Sequence, residues 1–377
     1  MIDFDVIELS ASLAEGYTLP ASWYVDPDTY AAEKDQVFRH CWQYAGLAER
    51  LAGPGDYLTC VAGDVPLLVV RRRDGGLRAF VNVCRHRGCV LVPDGQGNRK
   101  ALQCGYHAWT YDLDGSLRAA PGEKLEASFD RAAFSLTPAQ VDTWGPFLFV
   151  NPDCAALPLR DVLGELPRLV EQTGIDLSAL RLRHSDRYEI AANWKVVVDN
   201  YLECYHCPVA HPGFADLIDL DQYTIREYEY FSTQTGPVTD SARAGRDGLY
   251  AVGGGVEAGF YVYFWPTFML NIYPGPGNVS LNLIQPHGPE RTTALYEYCL
   301  ADAVNEQQIS DFVRFIDQVQ REDTVLCESV QRGLRSGAFG QGRLMLGRER
   351  AVQHFQRLVF ESLALRSEDQ QVRFLRT

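Results

Sequence analysis

Cys84-Arg85-His86-Arg87-Gly88 and Cys104-Gly105-Tyr106-His107-Ala108-Trp109 decide how this chain is read. Each segment offers one cysteine and one histidine, as C-x-H and then C-x₂-H, with residues 87–103 between His86 and Cys104. Both follow strand-like runs, Phe80–Val83 and Ala101–Gln103, so two loops at strand ends can present four ligands to one site. Structural zinc in a Cys₂His₂ set pairs its cysteines as C-x₂₋₄-C and its histidines as H-x₃₋₅-H, and this spacing matches that poorly. A [2Fe–2S] rhomb with two cysteines on one iron and two histidines on the other suits it well, because each loop can reach both irons. The cluster is the preferred reading and zinc the alternative.

Outward from these loops the 377 residues divide. A chain of that length suggests two domains. From Cys41 to about Asp153, short β-branched or aromatic runs alternate with Gly, Asp and Pro. Tyr57–Val61, Pro66–Arg71, Leu77–Val83, Ala101–Gln103 and Phe147–Val150 predict an all-β domain over 41–155. Residues 1–40 read as an N-terminal extension with a capped helix from Pro27-Asp28 to Phe38, expected to pack on a second domain over 156–377. There the pattern predicts helices over Leu159–Thr173, Lys195–Tyr205, Asn305–Gly333 (capped by Asn305) and Arg348–Ala364. It predicts strands over Tyr188–Trp194, Gly259–Tyr273, Val279–Ile284 and Thr292–Leu300.

A formal net charge of -14 argues against a nucleic-acid partner. The one basic run, Arg71-Arg72-Arg73, leads into Asp74-Gly75-Gly76 and reads as a solvated hairpin turn. No apolar run approaches the ~18 residues of a membrane span, and the acidic start Met1–Asp5 lacks a basic leader, so the expectation is a cytoplasmic protein with no membrane partner. Ten cysteines spread over such a length do not suggest a disulfide framework.

A second group of ligands lies in Asp199-Asn200-Tyr201-Leu202-Glu203-Cys204-Tyr205-His206-Cys207-Pro208-Val209-Ala210-His211-Pro212. Four of the eight histidines, His86, His107, His206 and His211, fall in the two groups. A mononuclear Fe(II) oxygenase site needs two imidazoles and one carboxylate on one face of the metal. Five residues apart on an unbroken helix, His206 and His211 would diverge by about 140°. Pro208 is expected to end the helix and let His211 turn back. Glu203, at i and i+3 from His206, could coordinate or hydrogen-bond an imidazole. Glu322 and Asp323 in a later helix are the other carboxylates.

With these residues in place, the chain resembles Rieske-type non-haem iron oxygenases over about Pro20 to Leu363. The resemblance implies an α+β fold, with an all-β Rieske domain and a catalytic domain whose central antiparallel sheet is flanked by helices. It implies a [2Fe–2S] cluster on Cys84, His86, Cys104 and His107, and Fe(II) on His206, His211 and Asp323, with Glu322 second to Asp323. It implies a homotrimer in which Glu203 bridges His107 of one subunit and His206 of the next. It further implies O₂ as co-substrate and a separate flavin/iron–sulfur NAD(P)H reductase. Gly253-Gly254-Gly255 lacks dinucleotide-binding spacing and no ferredoxin spacing is present, which agrees with an external electron source. Respiratory Rieske proteins have a disulfide at the position of Cys89. Here Tyr106 stands at the partner position, so Cys89 is expected to be a free, small apolar residue.

The Asp199–Cys207 segment, Ala210-His211-Pro212-Gly213-Phe214 and Gln331-Arg332-Gly333-Leu334 are similar to oxygenases of quaternary ammonium compounds such as carnitine, choline and betaines. Tyr261, Tyr263 and Trp265 share one strand face by period two. Tyr201, Tyr263 and Trp265 are the expected cation-binding residues. Two alternatives remain: an oxygenase of an aromatic acid, and a non-catalytic electron carrier. The carrier gives His206 and His211 no purpose.

Overall fold

Runs of Val, Leu and Phe between glycine turns form the β-rich unit of the computed structural model, which describes residues 6–240, 255–275, 277–302 and 304–374. The acidic start 1–5 and Gly253-Gly254 lie outside the described residues. Helices α1 (Val6–Ala14), α2 (Ser22–Val25) and α3 (Pro27–Glu33) come first. The β-rich unit, Phe38–Val162, then holds ten strands among the described residues. They are β1 (Gln43–Leu47), β2 (Asp56–Ala62), β3 (Val65–Arg71), β4 (Leu77–Val81), β5 (Gln96–Asn98), β6 (Leu102–Gln103), β7 (Thr110–Tyr111), β8 (Leu117–Ala119), β9 (Pro138–Trp144) and β10 (Phe147–Asn151).

Two sheets result, ordered β1-β10-β9-β4-β3-β2-β5 and β6-β7-β8. Alternation along β3 decides what each face buries. Leu68 and Val70 pack with Cys84, Cys104, Trp109 and Tyr111, whereas Leu67 and Val69 pack with Leu58, Leu148 and Val150. Arg71 to Gly76 make the expected turn, with Arg72 paired to Asp74. The unit runs past residue 155 because the segment after β10 stays tied to its start: Trp42 Nε1 donates to the Leu157 carbonyl at 2.9 Å.

The second unit comprises residues to Val37 and from Leu163 onward. Its elements are α4 (Leu159–Leu163, which begins before the break), α5 (Leu166–Glu171), β11 (Leu180–Ile190), α6 (Trp194–Tyr201), α7 (Cys207–Ala210), α8 (Pro212–Ala215), β12 (Thr224–Glu227), β13 (Phe231–Pro237), β14 (Ala258–Phe264), β15 (Phe268–Tyr273), β16 (Asn278–Gly288), β17 (Arg291–Ala301), α9 (Glu306–Arg335) and α10 (Leu346–Phe374). The sheet is antiparallel throughout, in the order β11-β17-β16-β15-β14-β13-β12.

Several local expectations are corrected. The helix expected over Leu159–Thr173 is two helices, broken where Gly164 takes φ +51°. The helix expected to Phe38 is α-helical only to Glu33 and continues as a π-helix over Lys34–Phe38. Its cap is Asp26, which accepts from the Asp28 amide. Asn305 caps α9 in a capping box with Gln308.

Burial of Glu33 and Lys195 locks α3 to α6. Both side chains are 0% exposed and form an ion pair, and Trp194 Nε1 donates to the second Glu33 oxygen at 2.7 Å. Burial pushes the Glu33 carboxyl up and the Lys195 ammonium down, so each charge stays in place only because of the other. This lock fixes the helix that carries Asn200 and Tyr201.

Candidate functional site

The two Cys–His loops are built alike. Val83 bridges Val90 around residues 84–89, and Gln103 pairs with Thr110 around residues 104–109. Cys84 N donates to Cys89 O and Cys104 N to Trp109 O, each at 2.8 Å. Gly88 N and Ala108 N donate back to Cys84 O and Cys104 O, each at 3.1 Å. Gly88 and Ala108 occupy the same place in this pattern, at φ +74° and +57°. Ala108 is the only non-glycine residue with positive φ among those described, a strain of about 1–2 kcal/mol stored at a ligand loop.

Both sulfurs are buried and both imidazoles exposed, the rings lying 4.7 Å apart between centroids. His86 stacks on Trp109 at 4.8 Å. Tyr111 receives the Arg85 amide at 3.0 Å, so its own hydroxyl proton points to Cys84 Sγ at 3.3 Å. Two soft thiols inside and two imidazoles outside form a donor set that fits a mixed-ligand [2Fe–2S] cluster. Cys89 is free and packs half-buried against this core.

In the second unit α6 stops at Tyr201, so Glu203 is not on a helix face with His206. It meets His206 through a turn instead. Glu203 Oε2 accepts from the amides of Tyr205 and His206, and Oε1 lies 2.5 Å from His206 Nδ1. Pro208 does not end a helix either. It sits in the first turn of α7, where its missing N–H costs nothing, and Pro212 starts α8 in the same way. These short helical turns swing His211 toward His206.

Three atoms then converge. His206 Nε2 lies 3.2 Å from His211 Nε2 and 3.5 Å from Asp323 Oδ1, and His211 Nε2 lies 2.8 Å from Asp323 Oδ1. Metal bonds of about 2.1 Å at right angles place neighbouring ligand atoms about 3 Å apart, so the triangle fits a two-histidine, one-carboxylate face. Glu322 is not at the triangle. One position earlier on α9, it turns about 100° away and holds His211 Nδ1 at 2.7 Å. Glu203 likewise grips the far nitrogen of His206 and is not a member of the triangle. Each carboxylate accepting at Nδ1 leaves Nε2 to face a metal. Asn200 Nδ2 donates to Asp323 Oδ1 at 2.8 Å.

Burial disfavours the His206 cation, but the Asp323 and Glu203 carboxylates hold the ring up at about 10. His211 is raised as well, against burial, by Asp323 and Glu322. Burial works on Asp323 in the opposite sense, yet the two imidazoles keep its carboxyl below the usual value.

A cavity of about 110 Å³ opens on this triangle. It is lined by Tyr201, Tyr223, Tyr261, Tyr273 and Tyr296 together with Asn271 and other residues. Tyr201 OH donates to Asn271 Oδ1 at 2.7 Å, and Asn271 Nδ2 to Ser280 Oγ at 3.1 Å. Two of the three expected cation-binding residues do not line it. Tyr263 packs edge-on against Phe355 and donates to the Pro266 carbonyl, and Trp265 lies beyond the end of β14 against Phe355 and Trp194. Period two puts Tyr261 and Tyr263 on one face, but α10 covers the Tyr263 end of that face. Tyr273 and Tyr296 went unread because isolated tyrosines in strands look like ordinary core, and Tyr223 because it stands alone in the turn before β12; buried Asn271, Ser280 and Asn282 in apolar runs were the available signal.

Cys204 and Cys207 also depart from expectation. They form a disulfide, with Cα atoms 4.9 Å apart, that encloses Tyr205-His206.

Comparison with known proteins agrees with this geometry. The Rieske [2Fe-2S] domain family matches residues 41–130, and the ring hydroxylating alpha subunit (catalytic domain) family matches 177–364. A chloroplastic choline monooxygenase of Spinacia oleracea is 34% identical over 348 residues, 90% of this chain and 77% of that one. The carnitine monooxygenase oxygenase subunit of Acinetobacter baumannii is 35% identical over 353 residues, 91% of this chain and 94% of that one. The crystal structure of the quaternary ammonium Rieske monooxygenase CntA with L-carnitine superposes with a TM-score of 0.83 at 32% identity, covering 96% of this chain and 99% of that one.

Proposed function

Because the chain belongs to the Rieske-type non-haem iron oxygenases, as an oxygenase alpha subunit with a [2Fe–2S] cluster and Fe(II), we propose that it hydroxylates a small quaternary ammonium compound beside the nitrogen. The observation that carries this is the cavity wall. Five tyrosines surround it, and no lysine or arginine is among its described lining residues. Burial raises the hydroxyls of Tyr201, Tyr223, Tyr273 and Tyr296 far above neutrality, so they present uncharged rings. Such rings attract a trimethylammonium group by cation–π interaction, more strongly once it is desolvated. An aromatic carboxylate would find no lysine or arginine to pair with among those lining residues.

In this reading Cys84, His86, Cys104 and His107 hold the cluster, and His206, His211 and Asp323 hold the iron. When bound, these groups supply single electrons and O₂ activation for insertion into a C–H bond. Tyr201 and its neighbours orient the cation, and the Asn271–Ser280 chain fixes the Tyr201 hydroxyl. Hydroxylation of an N-methyl group gives a hemiaminal that collapses to formaldehyde and the demethylated amine; hydroxylation of the chain carbon releases trimethylamine.

Electrons come from a separate flavin/iron–sulfur NAD(P)H reductase, and the subunits act as a cytoplasmic homotrimer. Glu203 bridges His206 to His107 of the neighbour, and the exposure of His107 supports that path. O₂ uptake with a supplied reductase tests the substrate. Choline, carnitine or a betaine should drive uptake with formaldehyde or trimethylamine formed. Uptake driven by an aromatic acid and by none of these cations would overturn the proposal.

A further inference from the structure

We propose that Cys204 and Cys207 are a redox modification site: a peroxide oxidises the dithiol to the disulfide, which tightens the hold of His206 on the iron. The inference rests on the iron-site reading above. Its basis is that the bond closes a ring around Tyr205-His206, so one of the three converging ligands sits inside it. No regular element supports that ligand, since α6 ends at Tyr201 and α7 begins only at Cys207. Besides the disulfide, the Glu203 carboxylate shapes the turn, through the amides of Tyr205 and His206. Cys207 Sγ lies 4.0 Å from His206 Nε2, the atom that faces the metal.

Access also fits. Cys204 lines the tyrosine cavity and, on its other side, a second pocket bordered by Leu220, Thr224 and Arg348. A small oxidant or thiol can therefore reach the sulfur without crossing the substrate site. The step balances with hydrogen peroxide, the two-electron reduction product of the co-substrate O₂. Two thiols lose two protons and two electrons, one S–S bond forms, the O–O bond breaks, and two waters result. In the reduced form the turn keeps its carboxylate contacts but loses its covalent closure, and the ligand is freer to leave.

The test uses the holoenzyme. One portion is treated with hydrogen peroxide and another with a phosphine reductant; both are freed of reagent and reloaded anaerobically with Fe(II). Alkylation and peptide mass report the state of Cys204 and Cys207, and a chromophoric chelator reports iron release. The peroxide-treated form should carry the disulfide and release mononuclear iron about tenfold more slowly, the scale of losing one support of a metal ligand. A C204S/C207S variant should release it at the faster rate after either treatment. Both thiols alkylated after peroxide, or equal release rates from the two wild-type forms, would overturn the inference. Failure of both forms to take up iron beyond the cluster would instead overturn the iron-site reading beneath it.

Discussion

Raising the pH should tighten metal binding at His206, His211 and Asp323. In the metal-free protein the carboxylates of Asp323 and Glu203 hold His206 at about 10, so its ring is a cation at neutral pH. A metal binds only the neutral imidazole and must displace that proton. At pH 7 the displacement costs about 1.4 kcal/mol for each of three pH units, or roughly 4 kcal/mol. Affinity should therefore rise at least tenfold per unit from pH 6 to 9, and more steeply where His211, also raised, loses a proton. An unperturbed histidine would give a plateau above about pH 7. Cobalt(II), which is stable in air, can be titrated against a competing chelator across this range with proton release recorded in weak buffer. Glu203→Gln removes one of the two stabilising carboxylates and should move the plateau to lower pH. Affinity that is level above pH 7 in the native protein, with no proton released, would refute the reasoning. The sign for folding is the reverse: the raised value stabilises the metal-free fold below about pH 6.5, and that contribution is lost as pH climbs through about 10.

Glu322→Gln leaves the triangle intact but weakens the grip on His211 Nδ1; mononuclear iron affinity should fall about 10- to 100-fold while the cluster's visible absorption is unchanged. Tyr111→Phe removes the hydroxyl from Cys84 Sγ and should lower the cluster potential by about 20–65 mV, a hydrogen bond of about 0.5–1.5 kcal/mol acting on a one-electron couple, as read by redox titration. Glu33→Ala strands the buried Lys195 ammonium and should cost about 3–5 kcal/mol in denaturant unfolding. Burial lifts the Asp199 carboxyl to about 7 even though Tyr24 and Gln356 bond to it. Its folded value lies above the unfolded one of about 3.9, so stability is full below about pH 4 and falls as pH rises through about 7. Asp199→Asn should flatten that fall, and urea midpoints at pH 5.5 and 8 report it.

Local chemistry made the first centre legible. Cys84, His86, Cys104 and His107 sit in two short loops whose spacing suits a [2Fe–2S] cluster better than a zinc finger, and the folded loops repeat one hydrogen-bond pattern. The His206–His211 pair was equally plain, but its mechanics were not. Pro208 reads as a helix stop by propensity, yet the helix has already ended at Tyr201, so the proline finds the first turn of the next one. Glu322 and Asp323 are indistinguishable as letters; a rotation of about 100° on α9 separates the one that meets the triangle from the one behind His211. Tyr263 and Trp265 show the limit of periodicity, which assigns a face but not what covers each end of it.

The sequence by itself thus determined the two Cys–His loops, the His206–His211 pair and the β-rich and mixed units, because those depend on residue type and spacing over a few positions; the strands expected over Tyr188–Trp194 and Gly259–Tyr273 run instead over Leu180–Ile190 and as the pair Ala258–Phe264 and Phe268–Tyr273. Tertiary structure decided which carboxylate faces the triangle, which tyrosines wall the cavity, and that Cys204 and Cys207 are joined. The first two outcomes depend on the register of β14 to β17 and on where α9 and α10 lie over the sheet, through contacts such as His211 with Asp323, 112 positions apart, that no local pattern encodes. The disulfide joins residues only three positions apart, and it is the turn around Tyr205-His206 that brings the two sulfurs together.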